Sequence, residues 1–150
     1  MSQDSGPRSV LLASVVAGLA SGGRSSLGPA VTRLVRGPSA LARGAVVAGV
    51  AAELVGDKLP RTPSRLGAVP LTGRALSGGL TGVLLARARG VSVVTPALAG
   101  AAAAVAGSYA GASWRGAWAR SGRPDFPAAV VEDVVSIGLA YAAYRAVSPS

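Results

Sequence analysis

Apolar runs alternate with short Arg-bearing stretches along the whole chain. The longest run without charge extends from Gly90 to Trp114, between Arg89 and Arg115. It exceeds the roughly 18 uncharged residues that mark a spanning helix. Pro96 falls in its first turn, where a missing N–H does no harm. Phe126 to Tyr144 forms a second run, opened by the helix-start signal Arg123-Pro124-Asp125 with Pro127 in the first turn. Ala40 to Gly56 forms a third, with Arg43 near one end and Glu53 near the other. Ser9 to Ser21 and Ala75 to Ala86 are shorter. At 1.5 Å per residue they reach only about 18–20 Å, against a hydrocarbon core of about 30 Å. The pattern predicts an all-α fold: a polytopic membrane helix bundle of about four to five spans. One domain over 1–150 is expected, with disordered tails at 1–7 and 148–150.

The two short runs share a tripeptide, Ser21-Gly22-Gly23 and Ser77-Gly78-Gly79. Each precedes a longer run that begins alike, Ala40-Leu41-Ala42 and Ala97-Leu98-Ala99. These matches suggest an internal repeat whose short members are Gly-broken, a sequence pointer to a binding site in membrane proteins. Gly56 to Pro70 reads as a loop outside the membrane, since Pro60, Pro63 and Pro70 break helix. A five-span count would put Arg8, Arg74 and Arg115 on one side and Arg87, Arg89 and Arg145 on the other. The resulting bias is too small to orient the chain. Because two runs are short, an even count of about four crossings fits better.

Composition narrows the chemistry. Charged residues make up 14% of the chain, where a soluble domain carries about a quarter. Cys and His are both absent, which removes thiolate chemistry, the commonest metal ligand and the usual general base. Neither a catalytic role, nor a metal, nor a cofactor is expected. The net charge of +9 raises nucleic-acid binding, but the Arg residues flank apolar runs instead of forming one face, and aromatics are only 4%. Arg beside apolar segments suits lipid head groups. The expected setting is the cell membrane, multi-pass, and the expected partners are the lipid bilayer and a second copy or a larger membrane complex. No nucleic-acid partner is expected. A cleaved signal ending near Ala20 is less favoured than a first membrane segment, because the apolar character continues beyond it.

Within the longest run, Ala99, Ala103, Gly107 and Gly111 fall four apart, as do Gly100, Ala104, Ser108 and Ala112. Such small-residue rows let another helix backbone come close. Glu53, Asp57, Glu132 and Asp133 interrupt apolar sequence, and ionisable groups there are costly enough to suggest a site. Glu53 and Asp57 share a helix face, whereas adjacent Glu132 and Asp133 point about 100° apart. Arg24 follows Gly22-Gly23 and precedes Ser25, at what reads as a helix end and turn. Arg24 is expected to pair with at least one of the four carboxylates, since paired charges cost less than isolated ones. The candidate ligand or ion site is therefore Gly22, Gly23, Arg24, Ser25, Glu53, Asp57, Lys58, Glu132 and Asp133. Helix-packing ion pairs without a ligand are the competing reading of the same residues.

Three stretches resemble a known family. Gly23-Arg24 resembles the Gly-Leu-Arg stretch of the bacterial membrane-protein family called domain of unknown function 4126. The stretch from Glu53 to Pro60, Glu-Leu-Val-Gly-Asp-Lys-Leu-Pro, resembles its Glu-Leu-x-x-Asp-Lys-x-Pro motif, and Val131-Glu132-Asp133-Val134 resembles its late Glu-Asp motif. The chain departs at the first motif, where the intervening apolar residue is missing and Ser25-Ser26 replaces an aromatic step. The resemblance implies a small integral membrane protein in which Arg24, Glu53, Asp57, Lys58, Pro60, Glu132 and Asp133 matter. It brings no substrate or reaction. Two functions are expected: passage of a small polar solute or ion through a charged, Gly-lined centre, or a structural membrane subunit. A membrane-embedded enzyme ranks last.

Overall fold

A computed structural model describes residues 6–23, residue 40 and residues 67–147, without the side chain of Asp125. Four helices account for most of these: α1 (Pro7–Gly23), α2 (Ala68–Ala88), α3 (Val94–Arg120) and α4 (Asp125–Val147). The fold of the described residues is all-α. Residues 1–5, 24–39, 41–66 and 148–150, and with them the expected Ala40 to Gly56 run, lie outside the described residues except for Ala40.

The expected Gly-broken segments are corrected. Gly22 and Gly23 belong to the last turn of α1, and Gly78 and Gly79 lie inside the continuous α2. A helical Gly costs about 1 kcal/mol relative to Ala, too little to break a helix that gains contacts there. The α2 helix also starts earlier than expected. It takes in Pro70 in its first turn and Arg74, so its 21 residues replace the short Ala75 to Ala86 run. In turn, Gly90 does not open the next helix. It adopts φ +66 just beyond α2, with Val91 N–H donating to the Ala86 carbonyl and Gly90 N–H to that of Arg87. That pair of hydrogen bonds is a Schellman cap, and Val91 packs against the core cluster that includes Ala86. Gly122, at φ +69, ends α3 in a related way, its N–H donating to the Ala119 carbonyl.

Contacts fix the helix directions. Val10, Leu85, Ala86 and Val147 share one core cluster with Val91 and Val93 beside it, so the start of α1, the end of α2 and the end of α4 meet at one end. At the opposite end Trp118 Nε1–H donates to the Pro124 carbonyl across the α3–α4 turn. Neighbouring helices α2, α3 and α4 therefore alternate in direction, and α1 runs alongside α3. The five-span grouping is corrected on one point: Arg8 and Arg145 lie at the same end, two residues from Val10 and Val147 respectively. The tripeptide environments differ too. Gly22 packs on a helix that runs parallel to its own, Gly78 on one that runs antiparallel, and the remainder of the suggested repeat lies outside the described residues.

The size of side chains is inverted relative to a water-soluble bundle. The buried apolar positions are mostly alanine, among them Ala13, Ala17, Ala20, Ala103, Ala104 and Ala143. Large apolar side chains stand outside: Leu76 is 68% exposed, Leu98 67%, Val134 64% and Phe126 77%. Among the described residues one helix, Phe126–Val147, is long and apolar enough to cross a membrane, with 22 residues at mean hydropathy 1.4. Helix α3, expected as the clearest span, has 27 residues but a sequence of Ala, Gly and Ser that dilutes its hydropathy.

Candidate functional site

Helix α1 packs on all three other helices, and α1 and α2 both pack closely on α3. Glycine makes this approach possible. A methyl group added at Gly22 would lie 2.5 Å from the Ala104 carbonyl oxygen and 2.6 Å from the Ser108 nitrogen. One added at Gly107 would lie 2.6 Å from the Leu19 carbonyl oxygen. At Gly18 and at Gly78 it would overlap the Gly100 carbonyl, and at Gly82 that of Pro96. Backbone thus fills the space beside each of these glycines. Of the two small-residue rows on α3, Gly100, Ala103, Ala104 and Ser108 are buried, while Ala99, Gly107, Gly111 and Ala112 are half-buried. Gly111 faces α4, where an added methyl would sit 3.2 Å from Glu132 Oε1.

Hydroxyl groups in these contacts bond to the preceding turn of their own helix. Ser14 donates to the Val10 carbonyl at 2.8 Å, Ser21 to that of Ala17 at 3.0 Å and Thr81 to that of Ser77 at 2.8 Å. The Ser108 hydroxyl lies 2.8 Å from the Ala104 carbonyl oxygen and 3.3 Å from that of Gly22, so it also ties α3 to α1. Among the described residues no buried side-chain polar atom lacks a partner. Satisfaction within a helix is what a setting without water demands.

The charged part of the described structure sits on the α3–α4 hairpin. Arg115 Nη1 donates to Glu132 Oε2 at 3.3 Å, with side chains 22% and 12% exposed. Desolvation of that degree makes the pair more than a surface ion pair. Asp133 is half-buried on the next position of α4 and is itself engaged in an interaction. Around the pair, Trp114 and Trp118 lie 5.4 Å apart, and the Arg123 guanidinium stands over the Trp118 ring at 5.5 Å.

Of the candidate site, the structure describes Gly22, Gly23, Glu132 and Asp133. Gly22 packs against α3, and an added methyl at Gly23 would overlap the Ser136 hydroxyl of α4. Glu132 and Asp133 lie on α4, and Glu132 meets Arg115, a partner that sequence reading missed. The signal was present: Arg115 and Glu132 are seventeen residues apart around the left-handed Gly122, the spacing of facing positions on a helical hairpin. The contact glycines Gly18, Gly78 and Gly82 were also missed, although Gly18/Gly22 and Gly78/Gly82 are each four apart. Arg24, Ser25, Glu53, Asp57 and Lys58, and therefore the expected Arg24–carboxylate pairing, lie outside the described residues.

Comparison of the chain with family models, with curated proteins and with solved structures finds no match. Of the three motifs that carry the resemblance to the domain of unknown function 4126 family, the central one, Glu53 to Pro60, and Arg24 of the first lie outside the described residues.

Proposed function

We propose that this chain is a multi-pass membrane protein with a structural role, a compact helical subunit held by small-residue contacts. The observation that carries this reading is the inversion of side-chain size. Ala, Gly and Ser fill most of the inter-helix seams, apart from Val10, Leu84, Leu85 and Val147, while many Leu, Val, Ile and Phe side chains stand outside. Apolar patches of this extent are costly in water. In lipid they cost nothing, and helix association there depends on close packing of small residues. The hydroxyl bonds to i−4 carbonyls support the same setting. A second reading, passage of a small polar solute or ion, is favoured by the half-buried Arg115–Glu132 pair with Asp133 beside it. Gly18, Gly22, Gly78 and Gly82 speak for the first reading, because each faces α3 backbone and not an opening.

Fractionation tests the membrane setting. The chain should stay with membranes through carbonate and high-salt washes and leave them only with detergent. Release by salt alone would mark a peripheral basic protein and end the proposal. Transport is tested separately: proteoliposomes should hold an imposed ion gradient, whereas a leak lost on Glu132→Gln would favour the second reading.

A further inference from the structure

We infer that the end of the bundle where α1 and α3 begin and α2 and α4 finish binds the phosphate head groups of anionic lipids, an inference that rests on the membrane reading above. Four arginines lie at that end of the bundle. Arg8 lies in the first turn of α1, Arg87 and Arg89 at the end of α2, and Arg145 in the last turn of α4. The shared cluster of Val10, Leu85, Ala86 and Val147 holds these helix ends together. Among the described residues none of these four arginines has a hydrogen-bond or ion-pair partner. No acidic residue occupies the first turn of α1 or α3, and α3 begins without a side-chain cap. At the opposite end Arg115 is paired with Glu132, Arg123 stands over the Trp118 ring and Asp133 is engaged, so that Arg120 alone there is exposed without a hydrogen-bond or ion-pair partner among the described residues.

Helix dipoles account for part of this arrangement. Cations at the ends of α2 and α4 complement the carbonyl groups exposed there. Arg8 does not fit that account, since a cation in a first turn opposes the dipole of its own helix. Two helix starts and four arginines without a partner among the described residues, all at one end of the bundle, favour an external anion. The Arg87, Arg89 and Arg145 side chains flank apolar surface at a helix end, the depth at which lipid phosphates lie.

The test uses the full chain in phosphatidylcholine nanodiscs with a minority of phosphatidylglycerol, each lipid spin-labelled in turn. The motionally restricted lipid should be enriched in phosphatidylglycerol by about threefold or more. Arg87→Gln/Arg89→Gln/Arg145→Gln should bring that ratio close to one. The three corresponding Lys changes should keep it, which separates charge from folding. Arg120→Gln, at the other end, should leave it unchanged. Equal restriction of both lipids by the native chain would overturn the inference while leaving the membrane reading intact. Failure to enter nanodiscs, with a soluble chain that binds RNA, would overturn both. Loss of selectivity in inorganic phosphate but not in chloride of equal ionic strength would show a site for a free small anion and overturn the lipid assignment.

Discussion

Glycines that look alike in sequence differ in what surrounds them, and this difference is measurable. Gly22 and Gly107 face backbone at 2.5–2.6 Å, so any added carbon must push helices apart. Gly22→Ala should destabilise by about 1–3 kcal/mol, the usual cost of overpacking, and Gly107→Leu should prevent proper folding. Gly138 on α4 has open space around it. Gly138→Ala should stabilise by about 0.5–1 kcal/mol through helix propensity alone. Unfolding in detergent, followed by helical signal, checks all three; equal effects at Gly22 and Gly138 would refute the packing account. The ion pair has its own test. Arg115→Gln and Glu132→Gln should each cost about 1–3 kcal/mol by leaving a partly buried charge without its partner. The double change should recover part of that sum, because no orphan remains. Strict additivity would show the two groups do not depend on each other.

At the scale of elements, the sequence shows its helices more clearly than their ends. The charge-free run locates α3 to within six residues at either end, and the Arg123-Pro124-Asp125 signal locates α4 to within three. The error at α2 has a physical cause. Pro70 reads as a breaker in sequence, yet it is the third residue of α2, where Pro is tolerated, and Arg74 lies within the helix because a bundle end can carry a charge. Gly78-Gly79 was read as a break for want of its neighbour: only the α3 backbone, distant in sequence, shows why glycine is there. The small-residue rows on α3 were legible because they repeat every four residues, but which helices would meet them was not. Glu132 was legible as costly, its partner Arg115 was not, since charge next to an apolar run resembles an ordinary flank. The cap at Gly90 gives a further prediction. Gly90→Val should cost about 1–2 kcal/mol and loosen the α2–α3 turn, because a branched side chain disfavours φ +66. Faster backbone hydrogen exchange at Val91 would reveal it. Unchanged protection there would mean the cap contributes little.

For the molecule as a whole, the central claim is that its outer surface meets lipid while its seams are dry. The chain contains no cysteine, so single cysteines can carry spin labels without background. Labels at Leu76, Leu98, Val134 and Ile137 sample exposed positions on three helices, and Ser108 samples a seam. In liposomes, collision with oxygen, which concentrates in lipid, and with a water-soluble nickel chelate reports the surroundings of each label. The account predicts strong oxygen and weak nickel collision at the four outer positions, and weak collision with both at Ser108. Strong nickel and weak oxygen collision along Leu76, Leu98, Val134 and Ile137 would place that surface in water and contradict the account.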